Sequence, residues 1–142
     1  MINRKAEARW EGTLKEGKGS IRLGSGGYQD LYSFGSRFAD GKGTNPEELL
    51  GAAHAGCFTM ALSLKLTLAG HPPASLETSA TVHLDKVGEG FSITGVDLVT
   101  KGRVPGADEA LFRQLANDAK ENCIVSRALS VPITLEATFL GE

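Results

Sequence analysis

Hydrophobic and polar residues alternate along several stretches of this chain and stop alternating in one. Leu76, Thr78, Ala80, Val82 and Leu84 interleave with Glu77, Ser79, Thr81, His83 and Asp85, the period-two pattern of a half-buried strand. A turn at Val87-Gly88-Glu89-Gly90 leads into a second long strand, Phe91 to Val104, which Pro105-Gly106 ends. Val131, Ile133, Leu135, Ala137 and Phe139 alternate with polar residues again and predict a final strand. At the other end, Ala6 to Leu14 and Ser20 to Leu23 read as two strands of a hairpin turning through Glu16-Gly17-Lys18-Gly19. Tyr28 to Phe38 carries Tyr32, Phe34 and Phe38 at alternate positions, but Ser36 breaks the pattern. That segment reads as irregular or as an edge strand, with Arg37 near its end, before the loop Asp40-Gly41-Lys42-Gly43.

The exception to alternation starts at Asn45, which can cap a helix. Pro46 suits the first helical position, and Glu48 stands where it would close a capping box with Asn45. Glu47 and Glu48 suit the positive end of the helix dipole. The pattern runs to Ala69 and stops at Gly70-His71-Pro72-Pro73. A helix from Pro46 to Ala69 would be about 36 Å long at ~1.5 Å rise per residue. Leu49 to Leu64 carries no charge and is apolar almost all round, which predicts a buried central helix. Its small residues, His54 and its polar ends argue against a membrane span. A second helix begins at Asp108, with Leu111, Leu115 and Ala119 at spacing four, and runs to about Glu121 or Asn122. Ser126 to Leu129 adds one more turn. The order β-β-(β)-α-β-β-α-β predicts an α+β fold with a mainly antiparallel sheet, in a single domain over 1–142.

Composition adds to this. Aromatic residues are 6% of the chain and glycines number 18, so a central apolar helix that needs cover on every side points to a homo-oligomer sharing its core. The net charge of −2 argues against a nucleic-acid or anionic-membrane surface. Met1 to Glu7 has no apolar run of the secretory kind, so a reducing cytosol is the expected compartment. There the two cysteines, Cys57 and Cys123, are expected to be catalytic, redox-active or metal-binding rather than structural. No Cys-x-x-Cys or Cys/His metal spacing exists, and His54, His71 and His83 are scattered, which argues against zinc.

Cys57 lies near the middle of the apolar helix. Its plain reading is a small hydrophobe in a packed interior, and Cys123 reads as filler at a helix end. A thiol buried among apolar groups has a raised pKa and becomes a nucleophile only beside a cation or a donor. His54 lies three residues before Cys57 on the same helix face. Side by side, the two could form a thiol hydrolase or acyl transferase, although a histidine packing at a helix interface is the plainer reading. Arg37 is the other candidate partner, and Glu47 alone needs no reading beyond a first-turn acid. A non-enzymatic small-molecule or lipid-binding dimer is a third reading.

The run Asn45-Pro46-Glu47-Glu48-Leu49-Leu50-Gly51-Ala52-Ala53-His54-Ala55-Gly56-Cys57-Phe58 resembles the active-site helix of the OsmC/Ohr family of thiol-dependent peroxidases. Ala8-Arg9-Trp10-Glu11-Gly12, Phe38, Leu84-Asp85-Lys86-Val87 and Cys123-Ile124-Val125-Ser126 also fall where that family has them. His54 and the Thr44 to Leu49 start favour the OsmC branch. Gly56 departs from the expected alanine, a change that loosens a helix by up to ~1 kcal/mol. The resemblance implies an OsmC-like intertwined dimer that reduces organic hydroperoxides, and hydrogen peroxide less efficiently. Cys57 would be the peroxidatic residue, passing through a sulfenic acid, and Cys123 the resolving residue that forms a disulfide with it. Arg37 would stabilise the Cys57 thiolate, and Glu47 would hold Arg37. A thiol or dithiol, with lipoyl-type dithiols indicated by the resemblance, would reduce the disulfide, and no flavin or haem would be needed. Phe34, Phe38, Leu49, Phe58 and Met60 are candidates for an apolar substrate pocket. Glu47 and Cys57 lie ten residues apart, ~15 Å on one continuous helix. Either that helix is interrupted or Arg37 and Glu47 serve a thiol of a second subunit. The second is expected, with two sites built across a twofold interface.

Overall fold

A computed structural model describes every residue from Met1 to Glu142. The chain gathers into two compact units, Met1–Leu49 and Leu50–Glu142.

The first unit holds a three-stranded antiparallel sheet of β1 (Ala6–Glu11), β2 (Lys18–Leu23) and β3 (Gln29–Tyr32), in that order. The register sets Trp10 and Tyr32 on either side of Gly19. A Cβ at Gly19 would fall 2.5 Å from Trp10 Cε3 and 2.6 Å from Tyr32 Cε1, so only glycine lets the rings meet edge to face, centroids 5.2 Å apart. The edge strand expected within Tyr28 to Phe38 is β3, which stops at Tyr32 and does not reach Arg37. Phe34–Phe38 form a short helix, α1. Ser33 accepts from Ser36 N–H while Ser36 Oγ accepts from Ser33 N–H, and this reciprocal cap turns the chain where alternation suggested extension. Ser36 Oγ also donates to the Thr44 carbonyl at 2.7 Å, and Asn45 Nδ2 donates to the Ser36 carbonyl at 3.0 Å. These bonds tie α1 to the start of the long helix.

That helix, α2, spans Pro46–Leu68 without interruption. Asn45 Oδ1 accepts from Glu48 N–H at 2.7 Å, as expected. The capping box is only half built, because the Glu48 carboxylate accepts instead from Thr44 Oγ1. At the far end Gly70 takes φ +87°, His71 N–H reaches the Leu66 carbonyl at 2.9 Å and Gly70 N–H the Thr67 carbonyl at 3.0 Å, a Schellman closure. Within its own protomer the helix is buried on one side only. His54, Phe58, Leu62 and Leu66 are buried, whereas Met60, Leu64 and Leu68 are exposed. Period-3.6 geometry gives even an all-apolar helix two faces, and this one packs only one of them into its own protomer. Length and apolar composition alone would also suit α2 to a membrane. The packing of its buried face marks it as a core helix.

In the second unit, β4 (Ser75–Val87) and β5 (Gly90–Arg103) form a long antiparallel hairpin with a register shift at His83/Leu84. Helices α3 (Glu109–Asn122) and α4 (Ile124–Ala128) follow, and β6 (Ile133–Phe139) then pairs with β5 in parallel. The order is β4-β5-β6, so the fold is α+β with two small sheets, antiparallel except for this last pair. Asp108 caps α3 through the Leu111 amide rather than lying inside it. The buried stripe of α3 is Phe112, Ala116 and Ala119; of the expected row Leu111, Leu115 and Ala119, only Ala119 is fully buried and the two leucines are half-buried. Phe112 decides the register. It is the largest apolar side chain of the helix, and it packs on the backbone of Gly102, where a Cβ would lie 2.5 Å from its ring. Phe58, Leu62, Leu66, Val96, Leu98, Val104, Phe112, Ala116, Ala119 and Cys123 make one core.

Candidate functional site

Cys57 sits on α2, partly accessible, and Cys123 is the buried single residue that joins α3 to α4. Its amide closes α3 on the Ala119 carbonyl at 2.8 Å, and its φ/ψ of −56°/135° starts α4 at once. The two thiols are free and within hydrogen-bonding reach of each other. They share the first turn of α4. Backbone N–H groups of Val125 and Ile124 face Cys57, and those of Ser126 and Val125 face Cys123, although Cys123 closes no capping hydrogen bond.

The pair ionises unequally. Burial pushes the Cys57 thiol up, the Val125 amide opposes this, and the Cys57 S–H is retained further because it donates to Cys123. Burial also pushes Cys123 up, but the Ser126 amide, the Cys57 thiol, the Ser126 hydroxyl and the Val125 amide together outweigh it and bring Cys123 down. The two thiols therefore titrate as one coupled unit, with Cys57 pushed up and Cys123 brought down.

His54 is fully buried. Its Nε2 lies 2.7 Å from Ser126 Oγ, and Nδ1 has no partner. Burial alone lowers its pKa. No carboxylate orients it, and it takes no part in shifting Cys57, so a Cys57/His54 hydrolytic dyad lacks its geometry here. Ser126 was not singled out from sequence. The available signal was its place three residues after Cys123, where a helix-start side chain turns back toward the capping position.

In the first unit, Arg37 of α1 meets Glu47 at the first turn of α2. Nη2 donates to Oε1 at 2.8 Å and Nε donates to Oε1 and Oε2 at 3.1 and 3.3 Å, a forked pair. Glu47 is 7% exposed, and the Arg37 guanidinium also lies over the Phe38 ring at 5.2 Å. A cavity of about 390 Å³ opens beside them, lined by Trp10, Leu14, Tyr32, Phe34, Arg37 and Phe38. Of the expected pocket residues, Phe34 and Phe38 line it. Phe58 instead belongs to the core of the second unit, Met60 is exposed, and Leu49 is half-buried outside the lining. Trp10 and Tyr32 were missed, and the glycine between their strands was the available clue. A larger groove of about 930 Å³ beside Arg4, Glu7 and Arg22 contains neither cysteine. No three His, Cys, Asp or Glu side chains gather to hold a metal.

Residues 39–137 match the family model described as OsmC-like protein. The chain belongs to the OsmC-like family. It is 50% identical over 136 residues, 95% of each chain, to the "Peroxiredoxin OsmC" of Escherichia coli K12. It is 32% identical over 104 residues, 68% of each chain, to an "Organic hydroperoxide resistance protein" of Xanthomonas axonopodis pv. citri. Among solved structures, the organic hydroperoxide resistance protein OhrB of Bacillus subtilis superposes with a TM-score of 0.71 at 27% identity, covering 95% of this chain and 97% of that one. The OsmC/Ohr family and its fold, expected from the active-site helix, are therefore found.

Proposed function

We propose that the chain acts as a single OsmC-like domain over 1–142 and is a two-cysteine peroxidase for organic hydroperoxides, working in a reducing compartment such as the cytoplasm. The observation that carries this reading is the meeting of Cys57 and Cys123 over the first turn of α4 in a relative of proteins named for peroxide reduction. The Cys57 thiolate attacks the terminal oxygen of ROOH, the O–O bond breaks, and RO⁻ leaves and takes a proton as ROH. Cys57 is left as a sulfenic acid. Cys123 then displaces hydroxide from that sulfur, giving the Cys57–Cys123 disulfide and water. An external dithiol, of the lipoyl type on the family resemblance, restores both thiols by exchange.

Cys57 is pushed up within its own unit and needs a cation to become the nucleophile. Arg37, held by Glu47, is that cation. α2 is uninterrupted, so Glu47 and Cys57 are ~15 Å apart along it, and the clamp of one protomer serves the thiol of the other. The bare face of α2, with Met60, Leu64 and Leu68, supports such a dimer. The aromatic cavity beside Arg37 suits the apolar part of an organic hydroperoxide.

Stopped-flow consumption of cumene hydroperoxide and hydrogen peroxide with a dithiol reductant tests the reading. Wild type is expected to turn over both, cumene hydroperoxide faster, and Cys57→Ser neither. Unchanged turnover in Cys57→Ser would sink the proposal.

A further inference from the structure

His54 and Ser126 take no part in the cycle described so far, yet both are buried and bonded to each other, His54 on α2 and Ser126 on α4. A buried imidazole with one unmatched nitrogen is costly, because that nitrogen has given up its hydrogen bond to water. An apolar residue of similar size would fill the space without that cost, so packing does not account for the histidine. Ser126 Oγ lies 2.7 Å from His54 Nε2, and the same hydroxyl helps to lower the pKa of Cys123 three residues before it. A hydroxyl has one proton to give, and the imidazole tautomer decides where it goes. With the proton on Nε2, the ring donates to Ser126 Oγ and the Ser126 O–H donates to Cys123. Nδ1 is then a bare lone pair. With the proton on Nδ1, the Ser126 O–H is drawn to Nε2 and a bare N–H is buried. Orphaned buried N–H groups are the rarer case. The first arrangement is therefore favoured, and it aims the hydroxyl at the sulfur.

We infer that His54 and Ser126 form a relay that holds Cys123 in its attacking, thiolate form, so that both are positioning residues for disulfide formation. This deepens the peroxidase reading and rests on it. In the disulfide-forming step Cys123 is the attacking sulfur, and the Ser126 hydroxyl is among the groups that lower its pKa. In the step itself, Cys123 Sγ attacks Cys57 Sγ, the S–S bond forms and the S–O bond breaks. Hydroxide leaves and takes up the proton Cys123 has released, so a sulfenic acid and a thiol give a disulfide and one water. Cys123 is oxidised, the sulfenic sulfur is reduced, and no further reagent enters. Around these groups α2 brings Cys57 and α4 brings the amides of Val125 and Ser126. Within the protomer, no arginine, lysine or carboxylate side chain acts on His54 or Cys123.

The test has two readouts. In a Cys57→Ser background, the ultraviolet absorbance of the Cys123 thiolate is followed against pH. Ser126→Ala and His54→Leu are each expected to raise its midpoint by about one pH unit, tenfold in thiolate fraction, while Ser126→Thr keeps it near the parent value. With Cys57 present, loss of free thiols after one equivalent of cumene hydroperoxide is expected to slow about tenfold in Ser126→Ala and to recover in Ser126→Thr. An unmoved midpoint in both Ser126→Ala and His54→Leu overturns the relay. A moved midpoint with an unchanged rate of disulfide formation overturns its role in that step. Where Ser126→Ala does not fold, the isosteric pair Ser126→Thr and Ser126→Val gives the same comparison. The midpoints need no peroxide, so they judge the relay even if Cys57→Ser shows the peroxidase reading to be wrong.

Discussion

Arg37 and Glu47 are joined by a guanidinium fork, and a fork is something lysine cannot make. From sequence alone Arg37 is a lone arginine near a glycine-rich loop, which ordinarily means a solvated one. Only the family resemblance gave it a partner. The physical reason it is held lies in Ser33 and Ser36, whose reciprocal cap builds a helical turn that periodicity does not reveal. Charge-assisted hydrogen bonds contribute about 1.5–3 kcal/mol each, and one arm of the fork is lost in Arg37→Lys. Peroxide turnover in Arg37→Lys is therefore expected to fall at least about tenfold, a change of ~1.4 kcal/mol. Initial rates of cumene hydroperoxide consumption at saturating dithiol check this, and a rate equal to wild type would contradict the clamp. The thiols were legible as residues. Their unequal ionisation was not, because it depends on amides of α4 that approach from another part of the chain.

At the scale of elements, α2 was legible in its ends and illegible in its faces. Asn45-Pro46 and Gly70-His71-Pro72 carry local signals with a direct backbone meaning. The faces depend on what packs against them, and an apolar composition all round contains no phase. The same limit explains α3, where Leu111 and Leu115 are as apolar as the Phe112 stripe that is buried, and β6, whose alternation suits parallel and antiparallel pairing equally. The exposed row Met60, Leu64, Leu68 on α2 is the feature with a consequence for assembly. Leu64 is 59% exposed and makes no part of the protomer's core, so Leu64→Glu should leave folding intact while placing a charge in the proposed dimer seam. Sedimentation is expected to show a wild-type dimer and a largely monomeric Leu64→Glu. A wild-type monomer, or an unaltered dimer in Leu64→Glu, would show that α2 does not carry the interface.

For the whole molecule, the order of the strands and of the helices other than α1, the α+β class and the family were legible because each rests on local pattern or on the motif around Cys57. The arrangement in space was not. Cys57 and Cys123 are 66 residues apart, and their meeting depends on α3 ending at the one residue where α4 begins. That meeting gives the proposed cycle its central claim: one peroxide consumed should cost two thiols, one from each cysteine. Fully reduced protein treated with one equivalent of cumene hydroperoxide, without reductant, measures it by counting free thiols and mapping the oxidised peptides. The cycle predicts loss of both thiols per alcohol formed and a single cross-linked Cys57–Cys123 peptide, while Cys123→Ser stops at a trappable sulfenic acid on Cys57. Alcohol formed with both thiols still free, or oxidation confined to Cys123, would contradict it.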